Sequence, residues 1–103
     1  MSTKLKSVYE DLKYANAAEM LIKAQLVTEI ADQVKRRGLT QTDALELLGF
    51  SQPKLPNLLR GQFRGVSEKK LMGCLTRLGR DVEIVVRPAP RFRREGTITV
   101  AAT

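Results

Sequence analysis

Gln41–Arg60, QTDALELLGFSQPKLPNLLR, is the stretch that decides the fold. Thr40 stands where it can cap a helix, and Asp43 three residues on completes a capping box. Ala44, Leu45 and Leu48 fall at i, i+1 and i+4, one apolar face of a helix. Gly49 offers the positive φ that ends a helix at low cost. Ser51 then stands as the cap of a second helix, with Leu55, Leu58 and Leu59 on its buried side. Two helices joined by a short turn containing Gly have the layout of a DNA-reading helix-turn-helix. The same spacing also fits an ordinary helical hairpin in a bundle, so the motif alone leaves two readings open.

Charge separates them. The chain has 103 residues, 43% of them apolar, enough for one domain with a small core. Its net charge is +7, and the excess is not spread evenly. Residues 1–49 hold seven basic and seven acidic side chains, whereas residues 50–103 hold eleven basic and four acidic ones. The whole excess therefore begins with the second helix of the motif, which resembles a phosphate footprint more than the scattered charge of a merely solvated basic face. A membrane surface is the competing electrostatic partner, but the chain has no Trp and no strongly basic amphipathic helix.

Other classes are disfavoured by absence. With no His and a single Cys, the chain offers no Cys/His zinc site and no internal disulfide. Cys74 lies in an apolar helical pattern and reads as a core residue. There is no apolar run long enough to span a bilayer, and MSTKLKSVYED lacks the apolar core of a signal peptide. A cytoplasmic, nucleoid-associated location is therefore expected. No phosphate-binding glycine loop or nucleophile elbow is present, so neither enzyme activity nor a cofactor is expected.

Outside the motif, residues 1–15 show no clear period and read as an N-terminal arm, partly disordered. Asn16 with Glu19 in the capping-box position opens a long helix near 17–37, with Met20, Ala24, Val27, Ala31 and Val34 on one face. Lys35, Arg36 and Arg37 suit its C-terminal dipole, before Gly38. Helices near 41–48 and 52–60 form the motif. Ser67 caps a further helix, 67–78, with Leu71, Cys74, Leu75 and Leu78 inward and Gly79 as its stop. From Asp81 the period changes to two, and Val82, Ile84 and Val86 share one face of an expected strand that Pro88 and Pro90 end. A second short run, 97–101, is also β-prone. A lone strand is unstable in water, so 81–87 must pair either with 97–101 or with the same strand of a second copy.

GLTQTDALELLGFSQPKLPNLLRG, residues 38–61, resembles the helix-turn-helix of XRE/Cro-type regulators. Thr40-Gln41, Gly49, Ser51-Gln52 and Leu58-Leu59-Arg60-Gly61 stand in that family's places. VYEDL, AEMLIKAQL, LGRDVEIVVRP and EGTITVAA extend the resemblance to the HigA-type antitoxin branch. The resemblance implies a mainly α, lambda-repressor-like bundle of four to five helices with one or two short C-terminal strands. It also implies a dimeric DNA-binding protein that represses its own operon and neutralises a RelE/HigB-like toxin. The expected division is an arm at 1–15, a DNA-binding domain at 16–80, and a β/basic tail at 81–103 for dimerisation or partner binding.

Carried over position by position, the DNA-contacting set is Gln41, Ser51, Gln52, Lys54, Asn57 and Arg60, with Arg64 beyond it. Gln and Asn amides can pair with adenine, and Lys or Arg with guanine or phosphate. Gln41, at a helix N-terminus, is suited to phosphate. The dimer interface is expected at Val82, Ile84 and Val86. Three features depart from the family pattern: Pro53 replaces a base-reading side chain, Leu45 replaces a small one, and Pro56 interrupts an expected helix. The prolines predict that the second motif helix starts late or is kinked. They also leave open an interaction module whose motif no longer reads DNA, beside a free-standing or phage-type repressor without a toxin. An RNA partner fits less well, since Tyr9, Tyr14, Phe50, Phe63 and Phe92 lack the spacing of a stacking platform.

Overall fold

The computed structural model describes the backbone of residues 2–102 and the side chains of residues 16–102. Among these residues lie four helices: α1, Ser2–Arg36; α2, Gln41–Leu48; α3, Lys54–Leu59; and α4, Glu68–Arg77. α1 packs chiefly against α4 and also against α3, and α2 packs against α4. The core lies where these faces meet. Ile30 of α1, Leu48 of α2, Leu55 and Leu58 of α3, and Leu71 and Cys74 of α4 are all essentially inaccessible to solvent. Phe63 and Val66, in the loop before α4, complete it.

α1 departs from expectation at its start. It begins at Ser2, so residues 2–15 are helical backbone rather than an irregular arm, and Asn16 lies inside the helix instead of capping it. No Gly or Pro occurs before Gly38, and an interior Asn costs only a few tenths of a kcal/mol, so nothing in the sequence stops the helix. The buried stripe is also displaced from the expected one. Lys23, Leu26, Val27, Ile30 and Gln33 are buried, while Met20, Ala24 and Val34 pack at the edge of the core. A purely apolar reading of the helix misses this face because two of its five members are polar.

Lys23 explains its own burial. Its Nζ donates a 3.0 Å hydrogen bond to the carbonyl of Arg64 and lies 3.4 Å from Glu19 Oε1. A buried ammonium needs such partners to offset its desolvation. The bond ties α1 to the loop that follows α3.

α4 follows the sequence closely. Ser67 accepts a 3.1 Å bond from the Lys70 N–H, as an N-cap should. Cys74 is buried as expected, and desolvation raises its thiol pKa above the ordinary value, opposed by the nearby charges of Lys70 and Arg77. The thiol is thus kept protonated and behaves as a small apolar group.

Beyond α4 the expected strands are not formed: residues 80–102 contain no β-ladder. Ile84 is 76% exposed and Val86 92%, with Val82 partly exposed. Within one chain the two β-prone runs do not pair. Pro88 and Pro90 supply no N–H, and the chain turns at once through an Arg93 N–H to Pro90 carbonyl bond of 3.0 Å. The intrachain hairpin is therefore absent, and the alternating apolar row has no partner in the single chain. Near its end the tail returns to the body, where the Val100 N–H reaches Gln25 Oε1 at 3.3 Å.

Candidate nucleic-acid interface

The candidate interface lies on the α2–turn–α3 unit. Thr40 Oγ1 accepts the Asp43 N–H at 3.1 Å, fixing the start of α2. At the other end Gly49 takes φ 70 and ψ 34, and its N–H closes on the Leu45 carbonyl. That left-handed backbone favours glycine. A β-carbon on Gly49 would lie 2.9 Å from Arg77 Nη1, so only the tip of that flexible side chain would have to move.

Two cations of α4 hold this corner. Lys70 Nζ donates to the Leu48 carbonyl at 3.2 Å and sits 4.8 Å from the centre of the Phe50 ring. Arg77 Nη1 donates to the Leu47 carbonyl at 3.3 Å. Both satisfy terminal carbonyls of α2 and complement the negative end of its dipole. The sequence alone shows these residues only as part of the charge excess. Their spacing, seven residues apart on one face of α4, was the available signal. Together with Arg80, which is also engaged within the chain, they serve the fold's own contacts.

α3 starts late, as the prolines predict. Its N-cap position is Pro53, with φ −74 and ψ −22 and no side-chain cap. Ser51 contributes its backbone carbonyl, which accepts the N–H of Lys54 at 3.1 Å and of Leu55 at 3.3 Å. The expected side-chain cap from Ser51 is therefore replaced. Because the helix begins at Lys54, Pro56 falls in its first turn, where an N–H would have no intrahelical acceptor. Leu55, which precedes Pro56 and is biased against helical geometry, is 1% exposed. Its burial offsets that bias.

With Leu55 and Leu58 fixed inward, most polar side chains of this unit fall outward. Ser51, Gln52 and Lys54 are exposed in the turn and at the α3 N-terminus. Asn57 is half-buried, and its carbonyl accepts the N–H groups of Arg60 and Gln62. Arg60 is exposed at the end of the helix, and Gln41 is exposed as the first residue of α2. Arg64 is exposed in the following loop, anchored through its carbonyl by Lys23. Gln52 thus stands in the turn rather than on the helix, a consequence of the late start. A shallow cleft of about 460 Å³ is lined by Phe50, Ser51 and Lys54 together with Val66, Ser67 and Lys70. Among the described residues no helix is long and apolar enough to cross a membrane.

Residues 8–87 match the model of a family described as a helix-turn-helix domain. The chain is also similar to a solved structure assigned to the XRE family of transcriptional regulators, at 37% identity and a TM-score of 0.79. That match covers 84% of this chain and 98% of the other. No curated protein sequence matches the chain.

Proposed function

The chain belongs to the helix-turn-helix domain family as an XRE-type DNA-binding transcriptional regulator, and from that premise we propose that it is an operator-specific repressor of the HigA-type antitoxin branch. In this reading it binds DNA as a homodimer, represses its own operon and neutralises a RelE/HigB-like toxin encoded beside it. The observation that carries the DNA-reading part is the polar set along the turn and α3. Leu55 and Leu58 lock the helix to the core, so Gln52, Lys54, Asn57 and Arg60 project from a rigid mount. Gln52 and Asn57 supply base-edge amides, whereas Gln41, Ser51, Lys54, Arg60 and Arg64 supply phosphate or guanine contacts.

One six-residue helix covers few base pairs, so specificity calls for two half-sites about 34–36 Å apart. Val82, Ile84 and Val86 supply an alternating apolar row suited to pairing with a second copy. Pro56 sits in the first turn of α3, where its missing N–H costs no intrahelical hydrogen bond, which supports an intact motif helix.

Gel shifts on the region upstream of its own gene test this reading. Gln52→Ala and Asn57→Ala should relax base preference and Arg60→Ala should weaken all sequences alike, each by about 1–3 kcal/mol. Unchanged discrimination in both amide variants would remove them as readers. An adjacent gene for a small basic protein, whose product co-purifies with this chain and loses activity on binding, is expected for the antitoxin role. Its absence would leave a free-standing repressor.

A further inference from the structure

The basic turn of the tail lies outside both the helix-turn-helix and the apolar row at Val82, Ile84 and Val86. Residues 87–94, RPAPRFRR, hold four arginines and no acid. The tail leaves the body after α4 and returns where Val100 meets Gln25, so this segment is the middle of a tethered excursion. Its bend is ordered by the Pro90–Arg93 backbone bond and by Arg93 Nη1, which donates to Thr97 Oγ1 at 3.1 Å. Ala89 and Gly96 approach across it. Arg91 and Phe92 therefore occupy the two central positions of the turn. Phe92 is 86% exposed. Arg87, Arg91 and Arg94 are exposed and have no hydrogen-bond or ion-pair partner among the described residues.

An unpaired arginine cluster on a proline-stiffened, strand-thin segment suits a narrow anionic groove. The minor groove of B-DNA is about 6 Å wide, too narrow for a helix, and its negative potential draws arginine. Apolar side chains such as Phe are among those that wedge between base steps there. Reach is sufficient. At about 3.3 Å per residue, even the shorter arm of the tethered segment, residues 91–100, extends up to about 30 Å, against the roughly 17 Å that separate successive faces of the duplex.

Building on the DNA-binding reading, we infer that the Pro90–Arg93 turn is a second DNA contact. It enters the minor groove beside the half-site read by α3, with Arg91 in the groove, Phe92 against the base edges, and Arg87 and Arg94 on the flanking phosphates.

The test uses the full chain, a short mixed-sequence duplex at a series of salt concentrations, and the same duplex with inosine replacing guanosine. Inosine removes the minor-groove amino group and leaves the major-groove O6 and N7 in place. For Arg91→Ala/Arg94→Ala the slope of log K against log salt should be shallower by about 0.9 for each phosphate that is no longer neutralised. Inosine should tighten binding of the parent chain and leave that of the double variant unchanged. Equal slopes for parent and double variant, with Arg60→Ala still shallower, would overturn the second DNA contact while sparing the helix-turn-helix reading. No detectable binding by the parent chain would overturn both. A shallower slope with no inosine effect would overturn the groove assignment. Light scattering is run alongside, and a loss of affinity that tracks a loss of dimer mass would also overturn it.

Discussion

Leu58 and Val86 are both apolar and both sit in regular apolar patterns, yet Leu58 is fully buried and Val86 is 92% exposed. The difference separates the helical body, residues 2–79, from the tail, residues 80–102. In the body each helix satisfies its own backbone, so its apolar stripe needs only side-chain contact from a neighbour. In the tail a strand would need a partner's backbone before its side chains could be covered. One chain supplies the first requirement and not the second. Periodicity therefore reports what a segment is suited to, and burial reports whether a partner is present.

The sharpest way to break this contrast is truncation on each side of it. Leu58→Ala should destabilise the body by about 2–5 kcal/mol, lowering the thermal midpoint in circular dichroism. A loss below about 1 kcal/mol would mean that α3 is not anchored as described. Lys23→Met comes next. It removes the bond to the Arg64 carbonyl and should cost about 1–3 kcal/mol in denaturant unfolding, with the 61–66 loop exchanging its amide hydrogens faster. An unchanged midpoint would show that packing alone holds that loop. Thr40→Ala should cost about 1 kcal/mol, because only the Asp43 N–H loses its acceptor. Thr40→Asp should recover most of it, and failure to do so would argue against a capping role.

The smallest expected effect on the fold belongs to the tail. Ile84→Lys should change unfolding of the monomer by no more than about 0.5 kcal/mol, since Ile84 is 76% exposed. Light scattering should nonetheless report monomers, and operator affinity should fall with Gln52 and Arg60 untouched. A variant that stayed dimeric would exclude this row as the subunit interface. A large loss of stability in the monomer would erase the distinction between body and tail.

How much was legible follows from how far each cause acts along the chain. Thr40, Gly49 and Ser67 act within four residues, so α2 and α4 were readable almost to their ends. The late start of α3 was readable from Pro53 and Pro56, since their effects are also local. Gln52 was readable as exposed, but its place in the turn depended on where the helix began.

The sequence by itself determined the helical body, the corner at Gly49 and the location of the charge excess, because these follow from local dihedral preferences, caps and composition. Tertiary structure alone decided that Lys23 is buried beneath a loop 41 residues away. It also decided that Lys70 and Arg77 close α2 from 22 and 30 residues away. No local rule sees such pairings, since each depends on two segments already being in place. The fate of the tail belongs to the same class: a strand forms against another strand, and within one chain its β-prone runs are not brought into pairing.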